Sequence, residues 1–197
     1  MIPAAMVVLL LDLMALVGRD GGSALRWAGA FLTAAFYVLV IWCYLRRGPA
    51  LATTRSITAR AAAVVATWAP FIMPWLHGAP PGAVWQGVSD VLLLAGTAWA
   101  VWSLRFLGRN LSVIAQARDV ADRGPYRWIR HPLYVGEIVS SLGLAIAAHR
   151  LAAIAVWLGI CALQVYRAVR EEQLLLVALP GYGAYRIRTA ALLPGIF

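Results

Sequence analysis

The sequence predicts an all-α fold: a polytopic integral membrane helical bundle of about five to six transmembrane segments. Three observations predict it. Of 197 residues, 62% are hydrophobic and only 13% are charged, with mean hydropathy +0.78; a soluble domain usually carries about 25% charged residues, so this chain has too little polar surface to cover a core in water. The apolar residues gather into separate runs, several close to the ~20 residues that cross a hydrocarbon layer. Arginine-rich and arginine-poor connections then alternate between those runs, the charge signature of a polytopic membrane chain. No stretch sustains the alternation of apolar and polar residues that a β-barrel strand needs.

Six apolar segments follow in order: 3–17, 27–45, 61–77, 87–106, 132–148 and 151–168. The first lacks a basic n-region and carries Asp12 inside the run, so it reads as a retained span and not as a signal peptide. The first and fifth are short for a full crossing and are expected to be tilted, re-entrant or shielded by neighbours. The connection 46–60 holds Arg46, Arg47, Arg55 and Arg60, and 108–130 holds Arg109, Arg118, Arg123, Arg127 and Arg130. The turn at 77–82 holds none and the turn at His149-Arg150 holds one, while the tail carries Arg170, Arg186 and Arg188. With six spans, the rich connections and both termini share one side, which the positive-inside rule makes cytoplasmic.

All 17 basic residues are arginine, and the net charge is +9. Without a basic stripe or stacking platform this excess does not read as nucleic-acid binding; it fits contact with anionic lipid head groups. Arginine in place of lysine, with abundant alanine, suggests a bacterial source and hence the inner, cytoplasmic membrane. Cys43 and Cys161 lie in apolar runs without a C-x-x-C or a histidine neighbour, so neither a metal site nor a disulfide framework is expected. The nine tryptophans fall near segment ends or within spans, as an aromatic belt would place many of them. The chain reads as one membrane domain, 1–197: scaffold helices over 1–107, and a working half over 108–197 where polar and charged groups collect.

Two clusters stand out in that half. Gly124-Pro125-Tyr126 leads through Arg130-His131-Pro132 into an apolar run with Tyr134, Gly136 and Glu137. Pro132 suits the first turn of a helix, where its missing N–H costs nothing, and His131, Tyr134 and Glu137, spaced by three, share one face. Interfacial anchors with an ion pair at Glu137 would explain each residue singly; their density at one membrane entrance favours a site. A carboxylate inside an apolar segment needs a partner or a polar cavity. The second cluster places Arg167 and Glu171 four apart, followed by Glu172. Acids at a helix C-terminus gain nothing from the helix dipole, so this is either a functional pair at the end of the last span or part of a helix that continues through Gln173-Leu174-Leu175 until Pro180-Gly181. Asp90 is placed at the outer mouth of the fourth segment; Asp12 has no assigned role. No dinucleotide or phosphate-binding glycine loop, zinc-protease motif or Ser/His/Asp spacing is present.

The ordered set Gly124-Pro125-Tyr126, Arg130-His131-Pro132-x-Tyr134-x-Gly136, Arg167-x-x-x-Glu171-Glu172-x-x-Leu175 and Gly181-Tyr182-x-x-Tyr185 closely resembles the isoprenylcysteine carboxyl methyltransferase family, which is related to the membrane phospholipid methyltransferases. The resemblance covers about residues 105–197. It implies a cytoplasmic-facing catalytic half that uses S-adenosyl-L-methionine without a Rossmann domain. It further implies cofactor contacts from Gln116, Val120, Ala121, Tyr126, His131, Pro132, Leu133, Tyr134, Glu171 and Glu172, with Arg167 serving the substrate carboxylate and Glu171 beside it as the second catalytic residue. The implied methyl acceptor is lipophilic or small and bears a carboxylate, thiol or amine. The stretch between Gln116 and Val120 is shorter than in eukaryotic members, Asp122-Arg123 replaces the family's threonine before Gly-Pro-Tyr, and no prenyl-recognising part is visible. The chemistry agrees: methyl transfer from a sulfonium is an in-line displacement that depends on positioning and on desolvation of the reacting charges. The alternatives are an NADPH-dependent reductase of sterol-like lipids, for which the spans are too few, and a small transporter or structural subunit, for which the two halves are too unlike.

Overall fold

The computed structural model describes residues 24–76, 78 and 81–193; the expected span at 3–17 and Asp12 lie outside the described residues. The described residues are mostly helical, 75% of them. Its elements are α1 (Ala24–Arg46), α2 (Ile57–Trp68), α3 (Ala83–Leu107), α4 (Pro132–Ala148), α5 (Leu151–Ala178) and the short α6 (Tyr182–Arg188). Among the described residues, three apolar stretches, Trp27–Arg46, Ala83–Asn110 and Leu151–Ala178, are long enough to cross a membrane, with shorter apolar helices at Ile57–Met73 and Pro132–Ala148. The protein is thus an all-α membrane bundle.

Local chemistry sets the boundaries. α2 begins four residues before the expected segment because Ser56 caps it, its Oγ accepting from Ala59 N at 3.3 Å. It then tightens into a 3-10 helix over Ala69–Trp75. Pro70 and Pro74 fall in that stretch, and neither has an N–H for an α-helical hydrogen bond. α4 starts at Pro132 and ends where His149 turns left-handed (φ 48°). α5 runs ten residues beyond the expected segment and carries the Arg167–Glu172 cluster inside the helix.

α3 and α4 are the closest-packed pair, and small residues make that possible. A Cβ at Gly96 would lie 2.3 Å from Ser140 N, and one at Gly136 would lie 2.8 Å from Gly96 O. Backbones approach this closely only where side chains are absent. Ser89 Oγ adds a bond to Gly143 O (2.9 Å), and Trp99 Nε1 donates to Pro132 O (2.8 Å). α1 packs on α3, α4 on α5, and α5 on α2.

The connections sort to two ends. Gly78 N donates to Ala148 O at 2.9 Å, joining the arginine-free turn to the α4–α5 turn. At the other end Ala52–Thr53 (β1) pairs antiparallel with Gln116–Ala117 (β2), which brings the 47–56 and 108–131 connections together. The chain after α6 lies on the segment before α4: Ile129 and Ala190 form a parallel bridge, and Arg130 N and His131 N donate to Ala190 O and Ala191 O. All-α therefore describes the bundle, with one two-residue ribbon at its polar end.

Candidate active site

A cavity of about 660 Å³ runs through the bundle, walled by α1 to α5, the β2 connection and α6. One end is mainly apolar and aromatic, with Trp68 and Phe71. The other end gathers the polar residues singled out in the sequence. Gln116, Val120, Ala121, Tyr126, His131, Leu133, Tyr134, Arg167 and Glu171 all line it. Pro132 and Glu172 are outside this lining: Pro132 is fully buried in the first turn of α4, and Glu172 is turned toward the C-terminal segment. Asp90 lies two turns inside α3, not at its mouth; it lines the cavity and accepts from Gln86 Nε2 at 2.9 Å.

The order of the chain explains how the polar end is built. His131 precedes the first turn of α4, and its ring stacks on that of Tyr134, one turn on (5.3 Å, 6° between planes). Tyr134 Oη donates to Glu171 Oε2 at 2.8 Å, and His131 Nδ1 lies 3.8 Å from the same oxygen. Glu171 is about a quarter exposed, so its carboxylate is held on one side and faces the cavity. Arg167, one turn earlier on α5 and 7% exposed, lies over the Tyr134 ring at 4.6 Å, a cation–π contact. The spacing by three and four seen in the sequence thus becomes one interlocked group on two facing helices.

Behind this group runs a second chain of contacts. Arg167 Nη1 donates to Gln164 Oε1 at 2.9 Å, and Gln164 Nε2 donates to Glu137 Oε2. Arg167 Nη2 reaches Val113 O at 3.3 Å. A buried guanidinium would be very costly alone; here an amide links it to a carboxylate. Glu172 is the hub on the other side. Arg130 Nε lies 2.6 Å from Glu172 Oε1, Arg186 Nε 3.1 Å from Oε2, and His131 Nε2 3.4 Å from Oε1. Arg130 also donates to Arg186 O and Thr189 O.

Aromatic hydroxyls close the wall. Tyr185 Oη donates to Tyr126 O at 2.6 Å. Burial pushes the Tyr185 phenol up to about 12 and raises those of Tyr126 and Tyr182, with the Glu171 and Glu172 carboxylates adding to the effect, so all three remain protonated donors near neutrality.

Gln164 and Arg118 were not singled out from the sequence as site residues. Gln164 had a usable signal, an amide in mid-span one turn before Arg167; Arg118 had none, because the contact with Gly48 that fixes its place lies 70 residues away. Arg118 lines the cavity, with Nε donating to Gly48 O (2.9 Å) and Nη2 to Gln116 Oε1. Glu137, given a partner but no role, turns out to reach Arg167 through Gln164.

Comparison with known proteins adds independent information. The cobalt-zinc-cadmium resistance protein CzcN of Cupriavidus metallidurans is 32% identical over 121 residues, 56% of this chain and 53% of that protein. The chain thus spans about half the length of the curated relative it matches. The sequence profile of the phospholipid methyltransferases matches residues 85–179, from the start of α3 through α4 to the end of α5. Residues 85–179 thus resemble the phospholipid methyltransferase family of membrane methyltransferases.

Proposed function

We propose that the protein is an S-adenosyl-L-methionine-dependent methyltransferase similar to the isoprenylcysteine carboxyl methyltransferases. It acts on a lipophilic or small acceptor bearing a carboxylate, thiol or amine, at the cytoplasmic face of a bacterial inner membrane. The observation that carries this reading is the pairing of Arg167 and Glu171 one turn apart on α5, both facing one cavity where its polar end meets the apolar bundle.

The residues present suit such a cofactor. Glu171 offers a carboxylate fixed by Tyr134 to hydroxyl or ammonium groups, and Tyr126 and Tyr182 offer aromatic faces to a nucleobase or a sulfonium. When bound, S-adenosyl-L-methionine supplies an electrophilic methyl group on a positively charged sulfur. Arg167 holds an anionic or polar acceptor group in reach of it, and its contact with Tyr134 limits the guanidinium to one orientation. The apolar length of the cavity takes the acceptor's hydrocarbon part and keeps water from the reacting groups. Glu172 acts at one remove, holding Arg130 and the His131 segment in place.

Calorimetric titration of the detergent-purified protein with S-adenosylhomocysteine, beside NADPH, tests the reading. The expected outcome is binding of S-adenosylhomocysteine alone, weakened at least ~30-fold in Glu171→Ala, as loss of a charge-assisted contact implies. Binding of NADPH alone would assign the cavity to a reductase, and binding of neither would leave both clusters as structural ion pairs.

A further inference from the structure

Three arginines line the cavity: Arg118, Arg130 and Arg167. Two are committed. Arg130 is used by Glu172 and by the carbonyls of Arg186 and Thr189. Arg167 is tied to Gln164 and Val113, lies over the Tyr134 ring, and is already assigned to the methyl acceptor in the reading above. Arg118 differs. Its Nε and Nη2 are pinned by Gly48 O and Gln116 Oε1, and that oxygen is itself fixed by Ser112 Oγ at 3.0 Å. Its third nitrogen, Nη1, is buried and makes no hydrogen bond. No acid forms an ion pair with it among the described residues. The adjacent Asp119 turns its carboxylate to Val120 N instead.

A buried charged donor without an acceptor is an unmet demand. Burial lowers the pKa of Arg118, and the neighbouring Arg47 cation adds to this while Tyr44 opposes it. A guanidinium already locked on two edges loses little further freedom on gripping a ligand with the third. What suits it is a compact anion presented from within the cavity.

We propose that Arg118 is a carboxylate-binding residue that grips the amino-acid arm of the cofactor through Nη1. This rests on the methyltransferase reading above and goes beyond it, because it divides the polar end into a Glu171 side and an Arg118 side. It also gives a reason for Gln116 to face the cavity: its Oε1 aims the arginine.

The test compares S-adenosylhomocysteine with 5′-methylthioadenosine, which has the same nucleoside and thioether but no amino-acid arm, by calorimetry on the full-length detergent-purified protein. The wild type is expected to prefer S-adenosylhomocysteine by about 10- to 100-fold, the range for a charge-assisted hydrogen bond. Arg118→Gln removes most of that preference and leaves 5′-methylthioadenosine within about twofold. Arg118→Lys keeps the charge without the planar fork and falls between, and it serves alone if Arg118→Gln does not fold. Equal weakening of both ligands would make Arg118 a brace for the β1–β2 ribbon and overturn the proposal, as would unchanged S-adenosylhomocysteine affinity in either variant or equal affinities in the wild type. Binding of neither ligand to the wild type would remove the methyltransferase reading and this proposal with it; binding of both, indifferent to residue 118, would remove this proposal alone.

Discussion

α1 and α5 are both apolar and both long enough to span a bilayer, at 23 and 28 residues. Among the described side chains of α1 only Cys43 is fully buried, and Phe31, Val38 and Leu45 are largely exposed. α5 instead buries Gln164, Arg167 and Glu172, three groups that lipid would reject. Hydrophobicity puts both helices in a membrane; the buried polar residues single out the helix that carries the candidate site. The same contrast separates α1 and α2 from α3 and α4, whose glycines and serines draw two backbones into contact.

Substitutions can break or sharpen that contrast. The largest effect is expected for Arg167→Met, which leaves Glu137 buried without its countercharge. A loss of about 3–5 kcal/mol is typical when one member of a buried charged pair is removed, and adding Glu137→Gln should recover part of it. Thermal unfolding in detergent measures both; no recovery would mean that the Gln164 bridge carries no energy.

Next in size is Gly136→Ala, whose new methyl would lie within 2.8–2.9 Å of Gly96 O and Ala100. Overpacking of this kind costs about 1–3 kcal/mol. Gly29→Ala on α1 meets only Leu94 Cδ2 at 3.9 Å and should be nearly silent. Equal losses for the two would erase the distinction between the tight pair and the loose helix.

Tyr185→Phe removes the bond to Tyr126 O and should cost about 1 kcal/mol. The Tyr185 phenol is raised to about 12 in the folded protein against roughly 10 when unfolded. Its contribution is therefore complete below about pH 10 and is lost as pH rises through about 12. The melting temperature of the wild type should fall more steeply than that of Tyr185→Phe between those limits. The smallest effect belongs to Phe31→Leu on the exposed face of α1, expected within about 0.5 kcal/mol and without change in ligand affinity.

What was legible in the sequence follows from the range of the interactions involved. α4 was readable to the residue because Pro132 and the His149-Arg150 turn mark its ends locally. The end of α5 stayed open between residue 168 and Pro180 in the sequence, because the apolar run stops near 168; the helix continues to Ala178 through charged residues that pair across to α4 and the tail. The break in α2 had a local cause at Pro70 and Pro74 that length alone concealed. The two-residue ribbon offers no alternation to detect. In the site, motif residues could be named, yet what Glu137 and Arg118 touch depends on Gln164 and Gly48, contacts 27 and 70 residues away.

The strip after α6 lies against the segment before α4, with Ala190 beside Ile129 and Tyr185 holding Tyr126. Biosynthesis therefore imposes a schedule on the site. A nascent chain that has reached only Ala178 contains Arg130, His131, Arg167 and Glu171, but Arg130 lacks the Arg186 and Thr189 carbonyls and the cavity lacks its Tyr182 and Tyr185 wall. The pocket is finished only when translation has passed residue 191 and that strip has folded back, so an unfinished chain holds the motif without the closed pocket.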